Sequence, residues 1–198
     1  SSAVSSDSVA LDAFMSLGNG SAGNSTQYTT PSMNGLTLKI GTKGASDSVG
    51  AGYGGDANAY NFYGASYAAG ALKAGLTVAD WNDNGNTKHY DSRSTLTASY
   101  DLGMATVGLF ASTQKYNNGT VNLKNTAFQV SAPVGPLSVS AEVGNVKGGS
   151  TNISLNGTSF SVSYPLSKRT SVDLTTQKWE TSATADVKKT SLLVSHSF

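Results

Sequence analysis

The sequence predicts an all-β chain, an antiparallel transmembrane β-barrel with about eleven strands visible. Three observations predict it. Apolar and polar side chains alternate over runs of about nine to eleven residues, the length with which a tilted strand crosses a bilayer. The breaks between runs are alternately short and long, as in hairpins that turn tightly at one membrane surface and loop out at the other. No apolar stretch approaches the roughly 18 residues of a membrane-spanning helix, so any crossing is made by strands. A β-sandwich would also alternate, but with strands of about 5 to 6 residues and no regular exchange of short and long connections.

The elements follow in order from Asn24. "NSTQYTTP" is joined through the short "SMNG" to "LTLKIGT", after which a long Gly-rich stretch, "KGASDSVGAGYGGDAN", precedes "YNFYGASYA". The tight "AGA" leads to "LKAGLTVAD", the polar "WNDNGNTKHY" to "SRSTLTASY", and "DLG" to "MATVGLFAS". "TQKYNNGT", "NTAFQVSAP", "VGP", "LSVSAEVGN", "VKGGSTN", "GTSFSVSYP", "LSKR", "TSVDLTTQK" and "WETSATAD" continue the same exchange to a last strand, "TSLLVSHSF". One face of these strands is apolar, with Leu36, Leu38 and Ile40, then Leu72, Leu76 and Val78, then Phe128, Val130 and Ala132. The other carries Lys39, Lys73, Arg93, Gln129, Glu142, Asp173 and many serines and threonines. Tyr28, Tyr67, Tyr100, Tyr164 and Phe198 fall near strand ends beside short turns, where amphipathic rings suit a membrane–water interface.

Composition narrows the function classes. Of 198 residues only 13% are charged and 38% apolar, both below the globular average, with Gly, Ser, Thr and Asn in their place. A net charge of +1 and no run of Lys or Arg give nucleic acid no footprint. Without cysteine there are no disulfides, thiolate metal sites or Cys nucleophiles, and no motif implies a cofactor. The N-terminal "SSAVSSDSVALDAFMSLGNG" lacks the basic start of a signal peptide, which leaves a chain that is not exported or one already processed.

Three motifs carry a family resemblance. "NSTQYTTPSMNGLTL" resembles the stretch after the constriction loop of Gram-negative trimeric outer-membrane porins of the neisserial and β-proteobacterial type. "YPLSKRTSVDL" is similar to their C-terminal hairpin, and a terminal Phe198 after alternating apolar residues to their closing strand. The resemblance covers residues 24–198 and implies a homotrimer of sixteen-stranded barrels, each with an inward-folded loop after the fifth strand. Residues 24–198 would then supply strands six to sixteen, with short periplasmic turns and longer extracellular loops, and residues 1–23 the rest of the constriction loop. Bacterial barrels have an even strand number with both termini periplasmic, so about eleven strands call for missing N-terminal strands or a second chain. Nothing in the sequence matches the family's first five strands or their Arg and Lys cluster.

Candidate site residues follow from charge and face. "DSVALDAFMSLGN" reads as a short helix suited to a loop inside a barrel, with Asp7 and Asp12 as candidates for the acidic side of a constriction. The resemblance puts Lys39, Lys73, Arg93, Glu142 and Asp173 on the lumen wall, where their mixed signs imply weak selectivity. "GAGYGG" at residues 50–55 matches the GxGxxG spacing but opens no helix, and reads as loop. His89 in a long polar loop and His196 on the apolar face make no hydrolase site. The Asn-x-Ser/Thr triplets are ordinary strand and loop residues in a bacterial envelope protein.

The expected function is therefore passive diffusion of ions and small hydrophilic solutes across the outer membrane, with no enzymatic step and no cofactor. The expected surroundings are the lipid bilayer and lipopolysaccharide. A surface receptor or structural barrel is the alternative, and an outer-membrane barrel enzyme a more distant one.

Overall fold

The computed structural model describes residues 25–44, 59–81, 90–116, 121–149, 152–181 and 186–197. They form eleven strands: β1 (Ser25–Thr29), β2 (Leu36–Lys43), β3 (Tyr60–Ala69), β4 (Leu72–Trp81), β5 (Tyr90–Asp101), β6 (Thr106–Tyr116), β7 (Leu123–Val134), β8 (Leu137–Gly148), β9 (Ile153–Ser167), β10 (Thr170–Thr181) and β11 (Val187–His196). All lie in one sheet in sequence order, and every pairing is antiparallel. From β3 onward the strands are 10 to 15 residues long, enough to cross hydrocarbon at a tilt.

Tight turns close one end of the sheet. In the first, Met33 and Leu36 exchange both backbone hydrogen bonds, at 2.8 and 3.0 Å, across Asn34 and Gly35. Both turn residues have positive φ, 51° and 87°, which is the type I′ geometry that an Asn-Gly pair favours and that matches strand twist. Between β5 and β6 the Asp101 carboxylate accepts from the Gly103 amide at 2.8 Å, a side-chain substitute for a backbone turn bond. In the last tight turn the Ser167 hydroxyl accepts from the Arg169 amide.

Most strands run beyond the bounds of the sequence reading, as β6 does to Tyr116 and β8 to Gly148, and two departures stand out. The run "NSTQYTTP" yields only the five residues of β1, and β9 runs through Pro165 to Ser167 where the reading stopped at the proline. A proline lacks the N–H a ladder needs, and the register between β9 and β10 shifts at Thr170/Ser171, beside the Pro165 pairing, so the strand continues through an irregularity.

The two faces are inverted relative to a soluble sheet. Among the described residues, every buried side chain lies on the face that carries Lys39, Glu142 and Asp173: Tyr60, Phe62, Ala79, Trp81, Phe110 and Ala127 with Thr95, Ser112, Asn125, Glu142, Ser159 and Gln177. The large exposed side chains of β2 to β9, including Leu38, Ile40, Leu76, Leu96, Leu109, Phe128, Val143 and Phe160, belong to the other face. Water does not tolerate an apolar face of this extent, whereas hydrocarbon does.

Register also shows how the strands stand in that hydrocarbon. Following one row of paired residues across the outward face, Leu38, Ala65, Leu76, Leu96 and Ala111 lead to Thr126, Asn145, Asn156 and Glu180. A row perpendicular to the strands starts in the apolar belt and leaves it. The belt therefore crosses the rows obliquely, which is the stagger of tilted barrel strands.

Candidate functional site

The inward face has two arcs, with an aromatic cluster at one end of the first. On β2 to β5 it is basic. Lys39 stands opposite Gly64 of β3, Lys43 opposite Tyr60, Lys73 opposite Ser99, and Arg93 between Ala79 and Gln114. Of the expected lumen residues, Lys39 and Arg93 are half-buried and Lys73 is exposed.

An aromatic cluster sits beside these cations at the end of the sheet away from the tight turns. Tyr60 packs on Trp81 with ring centroids 5.3 Å apart and on Phe62 at 6.1 Å, while the Lys43 ammonium lies 5.6 Å from the Tyr60 ring centre. With Ala79 these rings form the buried apolar cluster of the described residues. Glycine makes the room: a side chain at Gly41 would run into the Phe62 ring, and one at Gly157 into the Trp179 ring. The sequence reading missed this cluster, because "YNFYGASYAA" has aromatic residues at both parities and alternation does not say which pair turns inward.

From β7 to β11 the wall is built of small hydroxyls. Ser131, Ser140, Ser161, Thr175 and Ser191 share one register row, in which the Ser161 and Thr175 hydroxyls are 2.9 Å apart. Glu142 and Asp173 are the carboxylates of this part of the inward face; Asp173 accepts a hydrogen bond from the Ser171 hydroxyl at 3.1 Å. Basic side chains thus belong to β2, β4 and β5, with Lys189 on β11, and the acids to β8 and β10, with Asp101 at the tight-turn end of β5. All five expected residues in the described strands share the inward face, and register rather than contact relates them.

The outward face carries the other features. Tyr28, Tyr67, Tyr100 and Tyr164 are exposed on it toward the tight-turn end. At the opposite end it carries Lys115, Lys124, Lys147, Lys178 and Lys188, of which Lys178 is paired with Glu180 and Asp186. His196 also faces outward, with its Nδ1 2.8 Å from the Thr170 hydroxyl, away from the inward polar groups. Asp7, Asp12, residues 50–55, His89 and Phe198 lie outside the described residues.

An inverted sheet with a hydroxyl-lined inward face is what a channel barrel requires, and comparison with known proteins gives the lineage. A sequence model described as "Gram-negative porin" matches residues 2–184. The chain belongs to the Gram-negative porin family. Its fold is similar to that of an anion-selective porin from Comamonas acidovorans, with a TM-score of 0.72 and 20% identity over 88% of this chain and 59% of that one. A second solved porin aligns with a TM-score of 0.64 and 15% identity over 87% and 60% of the two chains. OmpT, an outer-membrane protein of Vibrio cholerae, in a form lacking loop L8, aligns at 0.60 and 13% over 87% and 62%. The porin-family chain spans about 60% of the length of these solved chains. No curated protein matches it in sequence. Family and fold together make it an integral protein of the bacterial outer membrane, with its apolar face toward lipid.

Chemically, the inward wall can hydrate and screen. Serine and threonine hydroxyls both donate and accept, so they replace solvation water without holding a solute in one geometry. Fixed charges on separate arcs can act on ions in water near the wall without a direct contact.

Proposed function

We propose that this chain forms the major part of a passive channel through which ions and small hydrophilic solutes cross the outer membrane. The observation that carries the reading is the inversion of the sheet: charged and hydroxyl side chains inside, exposed leucine, valine and aromatic side chains outside. Hydrocarbon leaves no backbone group of β1 or β11 a partner from solvent, so further strands, from the same or a second chain, close the barrel. Three such barrels assemble as a homotrimer. Residues 1–23 supply the remainder of the constriction loop, with Asp7 and Asp12 as its acidic candidates. The tyrosines Tyr28, Tyr67, Tyr100 and Tyr164, with Phe198, anchor the barrel at the periplasmic interface.

Lipopolysaccharide fits the other end. Lys124 and Lys147 are direct cross-strand partners on the outward face, and neither makes an ion pair among the described residues. Like charges so placed repel, and phosphate groups of the outer leaflet relieve that repulsion. The channel itself performs no reaction.

Reconstitution of the full-length porin in planar lipid bilayers tests the reading. Stepwise, ohmic conductance increases in potassium chloride are expected, with three substeps per insertion. A purified, folded protein that inserts and conducts nothing overturns it, and lipase or protease activity at the purity of a single species would replace it with an enzyme.

A further inference from the structure

Glu142 stands alone in its surroundings. It is 7% exposed, yet among the described residues no hydrogen bond or ion pair engages it, although register puts the Gln129 amide on one side and the Ser159 hydroxyl on the other. Ser159 is itself 7% exposed, and its Oγ has no hydrogen-bond partner. Gln177 of β10, equally buried, continues the row beyond Ser159. Four adjacent strands, β7 to β10, therefore bring Gln129, Glu142, Ser159 and Gln177 to one level of the wall.

The cations of this same row are remote. Lys73 lies four strands from Glu142 on β4, and Lys189 three strands away on β11. At about 4.8 Å per strand neither reaches the carboxylate. A buried carboxylate without a donor is costly, and the cost is relieved when a donor-bearing cation arrives.

We infer that Glu142, with Ser159 and Gln129, forms a transient binding subsite on the channel wall for the primary ammonium group of a small organic cation. The inference rests on the channel reading. Glu142 is an acceptor only, and its cross-strand neighbours, the Ser159 hydroxyl and the Gln129 amide oxygen, can add neutral acceptors beside it, which suits three N–H donors on one charge. One carboxylate does not suit a hard divalent ion, which takes several oxygen anions, and no group of three His, Cys, Asp or Glu is gathered among the described residues. Because the subsite holds a single charge against neutral partners, its occupancy is brief, as conduction demands.

The test measures block of potassium chloride conductance through the full-length porin by ethylammonium and by tetramethylammonium, which has the same charge and no N–H. Ethylammonium is expected to reduce the conductance saturably and tetramethylammonium not to. In Glu142→Gln the half-blocking concentration rises about tenfold or more, as the loss of a charge-assisted hydrogen bond implies. In Ser159→Ala, which retains the carboxylate, it rises a few-fold. Equal block by the two ions, or half-blocking concentrations unchanged in both variants, overturns the subsite. A wild-type protein that conducts potassium chloride but shows no block overturns the subsite alone, whereas one that conducts nothing overturns the channel reading as well.

Discussion

Gly35 shows how much a single residue can be asked to do in this sheet. Its φ of 87° belongs to the left-handed region, and a side chain there would strike the Ala68 carbonyl of the neighbouring strand. Gly35→Ala is therefore strained on both counts and is expected to cost about 1 to 2 kcal/mol. Urea titration of the refolded porin in detergent or lipid measures it; Asn34→Asp, which keeps a residue tolerant of positive φ, should cost less. The dipeptide was legible as a short break in "SMNG", because Asn-Gly between alternating runs has one common geometry. The isolation of Glu142 was not legible. Its parity put it on the polar face, but burial and the absence of a partner depend on register across β7 to β10, which alternation alone does not determine.

At the scale of the strand, the pairing of β9 with β10 carries a second kind of glycine. Gly157 bears no side chain because the Trp179 ring occupies the space above it. The chain has two tryptophans, so in a Trp81→Phe background Trp179 is the sole reporter. Gly157→Val should displace the ring and change its fluorescence maximum while leaving most of the sheet's amide signal in place; an unchanged spectrum would refute the packing. Most elements were readable because their alternation is clean. Two features escape it: β3 reads as a strand, but aromatic residues on both of its faces leave the inward pair undecided, and β9 continues through a proline that normally stops a strand. In both, pairing to neighbours over the length of the strand outweighs the local signal.

For the whole molecule the inverted faces make the sharpest prediction. Leu109, exposed on the outward face of β6 beside Ala98 and Phe128, lies within the apolar belt. Leu109→Arg is expected to destabilise the folded barrel in lipid by about 2 to 4 kcal/mol. Lys73→Ala, on the exposed inward face, should leave stability nearly unchanged and alter the permeability ratio of potassium to chloride instead. Folding titrations into vesicles and reversal potentials separate the two effects. Similar stability losses for both would mean that the two faces do not see different solvents. The oblique rows have a further consequence for insertion depth. A slip of two residues in one hairpin preserves which side chains face inward, so nothing in the local pattern corrects it, yet it displaces every later strand by about 7 Å along its own axis. Heights thus accumulate around the sheet. The Asn34–Gly35 turn, at its start, sets the level at which the lysines of β7, β8, β10 and β11 emerge from the membrane.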